Sequence, residues 1–175
     1  MADLTFNTQS NETLDRELLV ALLNTGTSSQ PVWSPLGKRV SDSSEELDWS
    51  QETSQDILGN TYPEMKKPVI TQSFDPWNIT GGDAAAVKIW NLAIKEQNAA
   101  ALAAQDVLIV HRYAGTADSA MFAERYNASA IAPTGLGGEG GGRISMPVSI
   151  TYGGERKTGT AAISSAGVVT FTPDA

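Results

Sequence analysis

The sequence predicts a mainly β protein: two packed antiparallel sheets, as a sandwich or barrel, with one flanking α-helix and extended loop or arm segments. Three observations carry this. Ile144, Met146, Val148, Ile150 and Tyr152 alternate with Ser145, Pro147, Ser149 and Thr151, the period of a half-buried strand. Further runs rich in Val, Ile, Thr and aromatic residues recur along the chain, at 18–23, 46–57, 68–74, 107–113 and 121–131. Against these stands a single convincing helical window, residues 83–97.

Each element has its own signal. Val107, Leu108, Ile109 and Val110 are apolar on both faces, which predicts a central, covered strand. Asp83 after Gly81 and Gly82 is placed to cap a helix. Val87, Trp90 and Ile94 then recur as an apolar stripe that needs a sheet to lie on, with Trp90 expected in the helix-to-sheet core. The alanine-rich residues 99–104 either prolong that helix or lead into the next strand. Pro147 donates no ladder hydrogen bond, so its strand is expected at an edge or a bulge. Gly153-Gly154 reads as a tight hairpin turn, and Ser165-Ala166-Gly167 as a second, making the last forty or so residues an antiparallel meander. Residues 24–45 and the glycine-rich residues 133–142 read as a mobile arm and loop.

One domain is expected over residues 1–175. The chain has no cysteine, which removes disulfides, thiolate metal sites and cysteine nucleophiles together. The start, Met1 to Phe6, has neither a basic nor an apolar segment, and residues 84–104 are broken by Lys88, Lys95 and Glu96. Neither a secretory leader nor a membrane span is expected, and the chain is read as made in a bacterial cytoplasm. The formal net charge of −8 opposes nucleic-acid binding, because neutralised phosphates supply most of that affinity.

Little points to chemistry. His111 is the one histidine, and a lone strand histidine is usually a packed residue. No Gly-x-Ser-x-Gly elbow, calcium-loop pattern or Gly-Lys-Ser/Thr phosphate loop is present. No catalytic residue, metal ligand or cofactor is assigned. The notable pattern is acidic. Asp42, Glu45, Glu46, Asp48, Glu52, Asp56 and Glu64 are interrupted by no Lys or Arg, and Glu46, Asp48, Glu52 and Asp56 all hold even positions. On one continuous strand these four would form an acid stripe, either a solvated outer face or the wall of a channel. Trp33, on the loop-rich arm, and Trp77, before the helix, are the candidate interface anchors.

The ordered set of residues 45–53, Asp56-Ile57-Leu58-Gly59-Asn60, residues 69–77, the Gly81-Gly82-Asp83 helix start and the strand after Asp106 resembles the major tail proteins of siphophages that infect Gram-positive bacteria. The resemblance implies a structural virion protein whose partner is itself, in hexameric rings stacked into a tube. Tape measure, tail terminator and distal tail proteins are the further partners it implies. It carries no catalytic residue. Four strands per subunit would combine into one inner barrel, and 24 strands at ~4.8 Å spacing and ~40° tilt give a wall roughly 50 Å across, wide enough for a DNA duplex. The acid stripe would then line the lumen, letting DNA pass without binding, and the tube would belong to the virion. A β-sandwich binding or adhesin module is the alternative.

Overall fold

The computed structural model describes residues 4–174, so the first residues of the Met1 to Phe6 reading lie outside it. Among the described residues eleven strands form: β1 Leu19–Asn24, β2 Trp33–Pro35, β3 Glu45–Asp48, β4 Glu52–Gln55, β5 Thr61–Glu64, β6 Val69–Phe74, β7 Gln105–Thr116, β8 Ala120–Pro133, β9 Val148–Thr151, β10 Arg156–Ile163 and β11 Val169–Pro173. Between β6 and β7 lie α1, Ala84–Trp90, which runs on into a π turn over Asn91–Lys95, and the short α2, Ala99–Leu102.

The strands make two antiparallel sheets that share β8, as the alternating patterns predict. One runs β2-β1-β7-β8-β10-β11 and the other β8-β9-β6-β3. The hairpin β4-β5 belongs to neither. Residues Met121 to Tyr126 of β8 pair with β10, while Ala130 to Pro133 pair with β9. The chain therefore turns a corner between the sheets at Asn127 to Ser129.

Gly153 and Gly154 sit at that corner rather than in a hairpin, which corrects half of the expected meander. β9 and β10 do not pair with each other; each pairs with a different part of β8. A Cβ on Gly153 would stand 2.7 Å from the Ala128 carbonyl oxygen, so glycine is what lets the corner close. The second half holds. β10 and β11 form a hairpin, closed by Gly167 at φ 77° and by the Val168 N–H donating to Ser164 Oγ.

The core follows the patterns. Met146, Val148, Ile150 and Tyr152 are buried, and Val107 to Val110 are covered on both faces. Val107 and Ile109 join Leu23, Trp77, Ile131 and Ile150 between the sheets, whereas Leu108 and Val110 pack with Trp33, Met121 and Ala161 on the opposite face. Ile144, expected to start the strand, lies outside β9 and is exposed.

The helix departs from expectation in its facing. Asp83 does cap it, accepting from the Ala86 N–H. The buried face, however, is Ala85, Ala86 and Ile89, and the stripe Val87, Trp90 and Ile94 stays 46%, 37% and 40% exposed. Both faces are apolar, and the two alanines allow the helix backbone to approach the sheet more closely than a tryptophan would. Lys88 fixes the choice from the side, donating to the Asn24 carbonyl at 2.6 Å.

The arm over residues 24–45 is pinned rather than loose. β2 pairs with β1, and the buried Asn24 amide organises the turn before it. Its nitrogen donates to Thr27 O and Asp106, and its oxygen accepts from the Gly26 and Val32 N–H groups. A buried amide satisfied this fully holds a loop in one shape.

Candidate assembly surface

The acid segment is not one strand. β3 ends at Asp48 and β4 begins at Glu52, with Ser50 between them at φ 43°. Asp48 Oδ1 accepts from the Ser50 N–H at 2.8 Å, the local bond by which Asp competes with a sheet ladder. The even-position stripe is therefore divided. Glu46 and Asp48 remain on β3. Glu52 lies on the hairpin, paired with Lys66 at 2.6 Å. Asp56 closes the hairpin turn, accepting from the Leu58 and Asn60 N–H groups, the Asn60 amide and the Tyr62 hydroxyl. Those bonds, the Asn60 side chain first, hold its carboxyl at about 2.

The four-stranded sheet supplies a new surface in place of the stripe. Register places Glu46 beside Thr71, Thr71 beside Thr151, and Thr151 beside Ala130 in one cross-strand row. A second row runs Ser73, Ser149, Ala132, and Asp48 stands beside Val69. The alternate rows, Gln72 with Ile150 and Ile131, and Phe74 with Val148, are buried against the other sheet. The outward face of this sheet is thus two carboxylates, four hydroxyls, two alanines and a valine, with no Lys or Arg in either row. Sequence reading found the two acids but not the hydroxyl rows, because their neighbours come from strands about eighty residues apart.

Behind β3, between the sheets, sits a compact polar network. Glu124 of β8 accepts from Arg156 at 2.6 Å and from the Tyr126 hydroxyl at 2.8 Å, and lies 3.0 Å from His111 Nε2. His111 Nδ1 is 2.8 Å from the Tyr113 hydroxyl. Burial alone would push the Glu124 carboxyl up, but the bonds from His111, Arg156 and Tyr126 hold it at about 2. Glu45, the inward-facing neighbour of Glu46, is pushed the other way, upward, chiefly by burial. The cleft beside them, about 520 Å³, is lined by Leu47, Trp49, Glu124, Tyr126, Tyr152 and Arg156 among others. Both ring nitrogens of His111 are engaged, so the imidazole ties β7 to β8 and has no free nitrogen to aim at a substrate. Among the described residues, no group of three or more His, Asp or Glu is arranged to hold a metal ion.

The two candidate anchors are core residues. Trp77 is fully buried against Phe74, and Trp33 is 8% exposed beneath the Arg125 guanidinium, which itself pairs with Asp106. Neither ring is presented to a partner, which corrects both interface assignments. Trp77 follows β6 and packs in the core between the sheets, and Trp33 lies on a strand that the loop-like composition concealed. The exposed tryptophans are Trp49 and Trp90. No helix among the described residues is long and apolar enough to cross a membrane.

No protein-family model matches the chain, and no curated protein matches it. Solved structures do resemble it. The sheath/tube terminator of the extracellular contractile injection system PVC, in its extended state, aligns with a TM-score of 0.50 at 9% identity, over 86% of this chain and 99% of its own. The PVC sheath-tube complex aligns at 0.47 and 7% identity, over 85% and 93%. The tube-terminating cap of the anti-feeding prophage aligns at 0.47 and 12%, over 89% and 96%. The first of these shows a fold shared with the sheath/tube terminator of an extracellular contractile injection system. That terminator belongs to a contractile injection system, not to the siphophage tails expected from the sequence.

Proposed function

We propose that this chain is a non-catalytic structural subunit of a phage-tail-like tube, which assembles as stacked hexameric rings around a DNA-conducting bore and resides in the particle. The observation that carries this reading is the outward face of the four-stranded sheet. It presents two carboxylates and four hydroxyls with no Lys or Arg in its cross-strand rows, and so offers phosphate no cation to hold. The sheet's four strands match the number per subunit that the siphophage resemblance implies for an inner barrel of six subunits, roughly 50 Å across. The edge strand β3 is short, and in a closed ring it would find a neighbour's edge instead of solvent. The fold shared with a tube terminator supports the same setting and adds a second position within it, the ring that ends a tube. Tape measure, terminator and distal tail proteins would be the other partners.

Electron microscopy of the purified protein, and of tails from infected cells, tests the reading. Long, hollow, striated tubes are expected for a tube-body subunit, and isolated rings for a terminator. A compact monomer under all conditions, absent from virions, overturns both.

A further inference from the structure

Where the end of β1 meets α1 and the start of β7, three side chains are arranged like the parts of an acyl-transfer site. The acyl group is the Asn24 amide, 3% exposed. Its Oδ1 accepts from the Gly26 and Val32 main-chain N–H groups at 2.9 and 3.1 Å. Two main-chain donors on one carbonyl oxygen stabilise the negative charge of a tetrahedral intermediate. Its Nδ2, the nitrogen that would leave, donates to Asp106 Oδ2 at 3.0 Å. The Arg125 guanidinium grips both oxygens of Asp106, at 2.9 and 2.7 Å, and fixes that carboxylate in place. The amine is Lys88, whose Nζ lies 2.6 Å from the main-chain oxygen of the same Asn24. Partial burial pulls the Lys88 ammonium below the ordinary lysine range, against an opposing pull from Asp106. That favours the neutral, nucleophilic amine. The turn at residues 24–32 needs only Thr27, Gly26 and Val32 to hold the amide. The lysine and the carboxylate reach it from two other elements.

We infer that Lys88 and Asn24 become joined by an intramolecular isopeptide bond, with Asp106 moving the proton. Lys88 first gives one proton to solvent. A rotation of its flexible stem carries Nζ from the main-chain oxygen toward Cγ of the same residue. The amine lone pair attacks Cγ, the Nζ–Cγ bond forms, and the charge on Oδ1 is held by the Gly26 and Val32 N–H groups. Asp106 Oδ2 takes one proton from Nζ and passes it to Nδ2. The Cγ–Nδ2 bond breaks, ammonia leaves, and Nζ keeps one hydrogen as a secondary amide. Nothing is oxidised or reduced. Holding amine, amide and carboxylate together makes such a step effectively unimolecular. It is a single self-modification without turnover, so it does not alter the reading of the chain as a non-catalytic subunit. The bond would tie α1 to β1 across 64 residues, a closed loop that constrains the unfolded chain as a disulfide does.

The intact mass of the purified parent chain, held at mildly alkaline pH, tests this. The mass expected is that of the sequence, allowing for removal of Met1, less one ammonia. Digestion should yield one branched peptide carrying both Asn24 and Lys88. Lys88→Arg keeps a cationic donor but is no nucleophile, so it should retain the full mass and unfold about 10 °C lower. Asp106→Asn should slow the loss of ammonia at least tenfold. An unchanged parent mass after days of incubation overturns the inference. So does a loss of ammonia that persists in Lys88→Arg and yields no branched peptide, since that marks a cyclic imide at Asn24. The parent's own mass decides the bond whether or not a variant folds, and neither result bears on tube assembly.

Discussion

Glu124 shows how one residue can hold two strands and a pH dependence together. It accepts from Arg156 and Tyr126 and meets His111, drawing β10 and β7 to β8. Its carboxyl is held at about 2, against 4.5 for an ordinary glutamate. A group depressed in the folded state stabilises it above the unfolded value, and that stabilisation drains away as pH falls from about 4.5 toward 2. Glu45, raised by burial, acts in the opposite sense and favours the fold when protonated. Glu124→Gln should therefore lower stability at pH 7 by about 2 kcal/mol, discounted for the carboxyl's partial contact with solvent. It should also flatten the loss of stability between about pH 5 and 2. Thermal unfolding across that range measures both effects, and a variant whose acid-side slope matches the parent's would remove Glu124 as its source.

At the scale of elements, the hairpin β4-β5 is an appendage. Its strands pair only with each other, every residue of both is exposed, and its base is tied by the Lys66 N–H donating to the Trp49 carbonyl. Replacing residues 52–64 with an Asn-Gly turn should leave the two sheets intact and change the unfolding midpoint by only a few degrees, as expected for a surface element outside the core. Calorimetry of that variant checks it. A collapse in stability would mean that the hairpin packs on the sheet. The helix teaches the complementary point. Its start at Asp83 was legible because a cap is chosen by the two or three residues around it. Its facing was not, because Ala85, Ala86 and Ile89 compete with Val87, Trp90 and Ile94 for the sheet, and only the closeness of approach decides.

For the whole molecule, if the chain lines a bore as proposed, the relevant quantity is the charge presented to a passing polyanion. The chain's net charge of −8 says that it repels DNA in general. The cross-strand rows say which face carries acids and no base. In a ring, Glu46 and Asp48 would be repeated around the bore and keep phosphates off the wall within about a Debye length, ~8 Å at physiological salt. Glu46→Lys combined with Asp48→Lys should leave folding and assembly possible, since both side chains are exposed. DNA ejection should slow, more at low salt than at high, because lysines would now bind phosphate. Ejection followed by dye release from purified particles reads this out. Kinetics identical to the parent's at low salt would remove the lumen assignment for this face.

The sequence alone determined what short-range chemistry controls: the β class, the strand cores at residues 107–110 and 148–152, the Asp83 cap, the Gly167 turn and the overall acidity. Period-2 patterns and caps are local, so they survive without a partner. The tertiary structure decided everything that depends on which strand lies beside which. It broke the acid segment at Ser50, sent Trp33 and Trp77 inward, turned the Gly153-Gly154 hairpin into a corner, and assembled the hydroxyl rows beside Glu46. A strand's own sequence specifies two faces, but only pairing across the chain determines which face meets the core and which meets the outside.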